Sequence, residues 1–235
     1  MRGVRRRRPD AARRRFDGMR DQPLFLFDVD NTLFDNDRMQ SDLQARLHEV
    51  LGEDAPARYR EIYEQRRAEL GYADYLGSLQ ALREPGVNDT QLVEVTTFLM
   101  EYPFARNVFP GVGDVLARAR NAVILSDGDV VFQPHKIRGS GLWRAVDGRV
   151  LIYIHKEQML EQLARAHPAH HYVMVDDKLR LLAAVKQAWG DRVTTVFVRQ
   201  GHYGNDAKAN AGHPPADLTL DHIAQLAHAD LPGRA

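Results

Sequence analysis

Two aspartates stand two residues apart where an apolar run breaks off, in Asp28-Val29-Asp30-Asn31-Thr32, and a second acidic pair, Asp176-Asp177, closes another such run. Residues two apart in an extended chain lie on one side of it, so Asp28 and Asp30 share a face. Carboxylates at the tip of a buried strand are costly to desolvate, and a divalent cation or a reacting substrate is the natural compensation. Taken singly, each pair also fits an ordinary role: Asx-type turns at Asp30 and Asn31, and an acid capping a helix that begins at Lys178. Ser126 ends a third apolar run and precedes Asp127-Gly128, a turn former by itself. Lys156 opens a helical pattern, and Lys136, in Gln133-Pro134-His135-Lys136, competes with it as the cation that would face the acids.

The elements needed to hold these residues are readable from apolar periodicity. Pro23 to Asp28 reads as a first strand buried on both faces, and Ala122 to Ser126, His171 to Asp176 and Arg192 to Arg199 repeat the pattern, with Val146 to Tyr153 as a further strand. Helical spacing falls between them at Val112 to Arg120, Lys156 to Ala166 and Lys178 to Trp189. Strands alternating with helices predict an α/β domain with a parallel sheet, whose ligands gather at the carboxyl ends of the strands. From Asp35 to Pro103 there are no strand runs. Leu43, Leu47, Val50 and Leu51, then Ile62 to Leu70, then Leu92 to Met100, mark the apolar faces of three or four helices, punctuated at Glu84-Pro85-Gly86 and Tyr102-Pro103.

In this order and on this topology, Asp28-Val29-Asp30-Asn31-Thr32-Leu33, Ser126, Lys156 and Asp176-Asp177 resemble the four motifs of the haloacid dehalogenase-like superfamily, over about residues 22 to 200. The resemblance implies an α/β, Rossmann-like, doubly wound parallel sheet over residues 21–34 and 104–235, with an inserted all-helical cap over 35–103. It implies Mg²⁺ as cofactor, Asp28 as nucleophile forming an aspartyl-phosphate, and Asp30 as the acid and then the base. Ser126 and Thr32, with the backbone amides of Asp127 and Gly128, would bind the phosphoryl group, and Lys156 would pair with it and with Asp28. The metal would be held by Asp28, the Asp30 backbone carbonyl and Asp177, with Asp176 as a direct or water-mediated second ligand. Many members carry Lys-Pro where this chain reads Lys156-Glu157. Dehalogenases attack carbon and keep no aspartate two residues after the nucleophile, so Asp30 directs the expectation to phosphate chemistry. The expected activity is hydrolysis of a small phosphorylated metabolite. A phosphomutase of the same superfamily, or a non-catalytic protein binding nucleic acid or another partner, is the alternative.

Composition supports a folded protein: hydrophobic residues make up 44% and charged residues 27% of the 235. There is no cysteine, which excludes disulfides, thiolate metal sites and cysteine nucleophiles. The formal charge of zero hides an uneven distribution, since residues 1–15 hold eight arginines and one acid, leaving the rest net acidic. Residues 1–20 read as a disordered like-charge tail, the one segment suited to nucleic acid. Pro9, Asp10 and further arginines stand where a secretory signal needs an apolar stretch, so a cytoplasmic protein with no membrane segment is expected. His167 to His171 and Gly201-His202-Tyr203-Gly204 read as turn and loop, Gly139-Ser140-Gly141 as a helix end, and the residues from Pro214 as a short strand and final helix with a frayed Pro-Gly-Arg-Ala end.

Overall fold

The computed structural model describes residues 22–83 and 89–231. The arginine-rich tail, the Glu84-Pro85-Gly86 turn and the last four residues lie outside the described residues. Six strands, β1 (Leu24–Phe27), β2 (Ala122–Asp127), β3 (Val150–Tyr153), β4 (Tyr172–Asp176), β5 (Val193–Val198) and β6 (Leu218–Leu220), form one sheet in the order β3-β2-β1-β4-β5-β6, every neighbouring pair parallel. The chain winds outward from central β1 through β2 and β3, then crosses back to β4. The carboxyl edge beside β1 is therefore the switch point where such sheets leave a crevice.

Alternation explains why β1 stays central. Phe25 and Phe27 point to one face with Ile124, Val173 and Val175, while Leu24 and Leu26 point to the other with Val123, Leu125 and Met174. All four β1 side chains are buried, so polar groups enter only where the strand ends. Phe27 is level with both Ile124 and Val175. One step further, the Asp28 amide donates to the Val175 carbonyl at 3.0 Å, which sets Asp28 beside the end of β4.

Among the described residues, four helices occupy the stretch after β1: α1 (Asn36–Leu51), α2 (Ala55–Leu70), α3 (Tyr75–Ala81) and α4 (Asp89–Met100). Asp35 caps α1, its carboxylate accepting from the Arg38 amide at 2.9 Å. Met39, Leu43 and Leu47, four residues apart, form the buried stripe of α1. The helices are not a separate apolar unit. An aromatic seam runs from Tyr63 through Tyr75 (5.3 Å between centroids) and Phe132 (5.1 Å) to Phe104 (6.0 Å) and Phe34 (6.2 Å), joining them to the sheet domain.

The remaining helices are α5 (Val112–Arg118), α6 (Phe132–Gly139), α7 (Leu142–Ala145), α8 (Leu160–Ala166), α9 (Leu179–Trp189), α10 (Gly201–Asn205) and α11 (Ala207–Asn210). Four sequence expectations are corrected. The strand expected from Val146 begins at Val150, because Asp147 and Gly148 adopt positive φ in a turn. The helix expected from Lys156 is a single 3₁₀ turn, Lys156–Gln158, which Met159 separates from α8. The Gly201 to Gly204 loop is the short helix α10, and the final helix is the 3₁₀ segment Ile223–Ala227. No helix among the described residues is long and apolar enough to cross a membrane.

Gly201 has φ +62°, and a methyl group built on it would overlap Cβ and Cγ of Asn31 in the turn after β1. Left-handed backbone in a non-glycine residue costs about 1–2 kcal/mol before any clash. Gly201→Ala is expected to lower the melting temperature by about 5–10 °C in a circular dichroism melt, for a total cost of roughly 2–3 kcal/mol. An unchanged melt would show that α10 can back away from Asn31.

Candidate active site

Asp28, Asp176 and Asp177 converge at the carboxyl edge of β1 and β4. Each offers one oxygen, and these three oxygens lie within 4.8 Å of one another. All three side chains are buried, Asp176 and Asp177 completely. They are reached by a lysine from a distant part of the chain. The Lys156 ammonium pairs with Asp28 Oδ1, lies 2.7 Å from Asp176 Oδ2 and donates to the Leu125 carbonyl at 3.3 Å. Its backbone is held by Asp127, whose Oδ1 accepts the Lys156 amide at 2.8 Å. His155, in the left-handed region at φ 58°, makes the bend that turns Lys156 inward after β3.

One ammonium does not neutralise three carboxylates. Asp28 Oδ2 and both oxygens of Asp177 have no hydrogen-bond partner. Burial raises the pKa of Asp176 and, well above the ordinary carboxylate value, that of Asp177, where the like charges of Asp176 and Asp28 add to the effect of burial. Burial opposes the charged form of Lys156, but the Asp176 and Asp28 carboxylates outweigh it and hold the ammonium above its usual range. Lys178, at the start of α9, is likewise raised by Asp28, Asp177 and Asp176 against its own desolvation. An all-oxygen, anionic, dry cluster with orphaned acceptors fits a hard divalent cation that keeps some of its waters. Asp28, Asp176 and Asp177 would hold it.

Asp30 belongs to a different network. Its carboxylate turns from the cluster to Lys136, 2.5 Å from Oδ1, and to the Gln133 amide, 3.2 Å from Oδ2. Lys136 is fully buried under the rings of Phe34 and Tyr75 and also donates to Asn36 Oδ1 at 3.1 Å. The two lysines that compete in the sequence therefore divide the acids, Lys156 taking Asp28 and Lys136 taking Asp30. Gln133 spans Asp30 and Ser126, donating to the Ser126 hydroxyl at 2.8 Å. Asp129 fixes the turn that leads into α6, its carboxylate accepting the Val131 and Phe132 amides at 2.8 and 2.6 Å.

The turn after Asp30 is fixed by Asn31, at φ 60°, whose side-chain oxygen accepts the amides of Asn36 and Asp37 at 3.1 and 3.2 Å. The Thr32 hydroxyl is buried without a partner. Gly128 is a correction: its amide donates to the Tyr153 carbonyl at 3.0 Å, which extends the β2–β3 pairing, so it is not a free donor for an anion. The Asp30 carboxylate is likewise absent from the convergent metal set, leaving only its backbone carbonyl for the role expected of it.

A cleft of about 490 Å³ adjoins the site, lined by Asp30, Asp127 and Lys178 from the sheet domain and by Gln40, Tyr63 and Arg67 from the helices, while Asp28, Asp176, Asp177 and Lys156 are not among its lining residues. Among the other aromatic and basic side chains of the helical segment, Tyr72 lines the cleft, Arg66 is tied to Asp74 at 2.9 Å, and Tyr75 is buried. Gln133, Asn36 and Lys178 carried no functional signal in the sequence. Only the adjacency of Lys178 to the acidic pair could have marked it.

Residues 23–188 match the family model of the haloacid dehalogenase-like hydrolases. A protein from Burkholderia xenovorans LB400 described as a haloacid dehalogenase-like hydrolase is 57% identical, with a TM-score of 0.82 over 88% of this chain and 98% of that one. A haloacid dehalogenase-like hydrolase from Xanthomonas campestris (20% identity, TM-score 0.62, 87% and 88% covered) shares the fold. So does a magnesium-bound hydrolase of this type from Bacillus subtilis (17%, 0.58, 88% and 97%). No curated protein matches the chain.

The raised pKa values of Asp176 and Asp177 set a pH dependence. Above the unfolded value of about 3.8, the folded protein binds more protons at these groups than the unfolded chain, so metal-free stability falls as pH rises through their folded pKa values. Asp177→Asn removes one such charge. It is expected to raise the metal-free melting temperature near neutral pH, by the equivalent of about 1–3 kcal/mol, and to reduce the decline with pH. The same substitution should abolish the rise in melting temperature on adding Mg²⁺. A variant less stable than wild type without metal, or still stabilised by Mg²⁺, would contradict this account.

Proposed function

The chain belongs to the haloacid dehalogenase-like hydrolase family, and from that premise we propose that it is a Mg²⁺-dependent phosphatase acting on a small phosphorylated metabolite. The observation that carries the reading is the pair of separately held carboxylates. Asp28 is clamped by Lys156 at the cluster, while Asp30 is held two residues away by a lysine and an amide of its own. A nucleophile and a proton carrier need such different surroundings. Attack on carbon with loss of halide would leave Asp30 without a task.

When bound at the cluster, Mg²⁺ supplies positive charge that offsets the repulsion between a carboxylate and a phosphate anion. Lys156 holds Asp28 by one oxygen, leaving Oδ2 unpartnered for attack on phosphorus. As the Oδ2–P bond forms, the bond from phosphorus to the leaving oxygen breaks, and Asp30 gives that oxygen a proton. In the second half, Asp30 takes a proton from water as the water oxygen bonds to phosphorus, and the Asp28–P bond breaks to release inorganic phosphate. Lys136 and Gln133 keep the Asp30 carboxylate oriented through both halves. The Ser126 hydroxyl, tied to Asp30 through Gln133, would donate to a phosphoryl oxygen. The cytoplasm is the compartment this reading assigns, since free phosphorylated metabolites are its substrates.

Release of inorganic phosphate from a panel of phosphorylated metabolites tests the proposal. EDTA and Asp28→Asn should each abolish it, a loss of at least about 10³-fold, and Asp30→Asn should reduce it by about 10²–10⁴-fold. Turnover by Asp28→Asn at a rate near wild type, or turnover indifferent to EDTA, would overturn the mechanism. Halide release from a haloacid without phosphate release from any ester would assign the chain to the dehalogenases instead.

A further inference from the structure

The charges lining the cleft are not balanced in the same way on its two sides. Its acids already have partners: Asp30 has Lys136 and Gln133, Asp127 accepts the Lys156 amide, and Glu157 lies 3.9 Å from Arg180. Its cations do not. The Arg67 guanidinium, entering from α2, donates to the Tyr203 hydroxyl, a neutral acceptor, and its carboxylate neighbour, Glu64 at 3.6 Å, lies on the exposed flank of the same helix. The Lys178 ammonium makes no direct ion pair among the described residues, although the charges of Asp28, Asp177 and Asp176 act on it from the cluster, and it lies 5.1 Å from the centre of the Tyr203 ring. Arg67 stands 5.5 Å from the same ring. One aromatic ring thus carries two cations at the wall of the cleft, so an anion entering there would meet both.

Resting on the phosphatase reading, we propose that the substrate carries a second anionic group besides the scissile phosphate, a carboxylate or another phosphate, received by Arg67 with Lys178 behind it across Tyr203. A planar guanidinium matches either group with two parallel hydrogen bonds. Tyr203 fixes the direction of that fork by accepting one of its protons. A cleft of about 490 Å³ admits a molecule of metabolite size with its two anionic ends apart. Lys178 lines the same cleft as Arg67 and Tyr203 and directly follows the Asp176-Asp177 pair in the chain.

The test compares kcat/KM within two probe pairs: 3-phosphoglycerate against its methyl ester, and 1,3-propanediol bisphosphate against the monophosphate. Wild type is expected to prefer the doubly anionic member of at least one pair by roughly tenfold or more, the equivalent of one charge-assisted hydrogen-bond pair. The responding pair identifies the second group as carboxylate or phosphate. The preference should fall to near unity in Arg67→Gln and survive in part in Arg67→Lys, with KM carrying most of the change. Tyr203→Phe should weaken it by the same route, and serves where an Arg67 variant fails to fold. Equal kcat/KM within both pairs, or a preference untouched by Arg67→Gln, would overturn the proposal. If no probe is hydrolysed, the phosphatase reading fails by itself. Calorimetry of the same pairs on the Mg²⁺-loaded protein then decides the subsite: tighter binding of the doubly anionic member, lost in Arg67→Gln, supports it, and equal binding refutes it.

Discussion

Three carboxylates buried around one lysine are the constraint from which the rest of the molecule is understood. Asp28, Asp176 and Asp177 could each be tolerated at a solvated strand end, but together in a dry crevice they repel, and Lys156 reaches only two of them. The protein spends folding energy to keep them there, most visibly at Asp177, whose two oxygens find no donor. That arrangement is stable only because the strands beneath it are fixed by apolar side chains on both faces. The same register that packs Phe27 against Ile124 and Val175 sets the level of Asp28.

The cluster also explains the bends around it. Lys156 reaches the crevice because His155 takes a left-handed conformation directly after β3, and Asp127 holds the amide that follows. Asn31 takes a similar conformation after Asp30 and receives the first amides of α1. Both are local departures from favoured backbone, both flank groups assigned to the chemistry, and both are anchored by hydrogen bonds that outweigh the strain.

The helical segment is attached to the site by chemistry as well as by packing. Asn36 at its first helix shares Lys136 with Asp30, and Tyr75 covers the same ammonium. Movement of these helices relative to the sheet domain would therefore be felt at the Asp30 carboxylate through Lys136. The aromatic seam from Tyr63 to Phe34 gives the segment a dry contact with the sheet domain. Arg67 and Tyr72 enter the cleft from the same helical side. Recognition of the organic part of a substrate and positioning of the proton carrier thus share one body.

Sequence alone determined whatever depends on neighbours along the chain. Buried parallel strands read as apolar runs, helices as spaced stripes, and acids at strand ends as sites in need of a counter-charge, so β1, β2, β4, β5 and the convergence of Asp28 with Asp176-Asp177 were legible. The expected boundaries failed where local backbone overrode pattern, at Asp147-Gly148 before β3 and at the 3₁₀ turn from Lys156. The resemblance already paired Lys156 with Asp28; only the tertiary structure gave Lys136 to Asp30, because that pairing joins residues 106 apart in the chain and depends on what lies opposite the lysine. It alone removed Gly128 from the anion-binding set, since a backbone amide is committed by the strand beside it. It alone placed Arg67, Lys178 and Tyr203 together, because charge and aromaticity in a sequence carry no direction until packing assigns one.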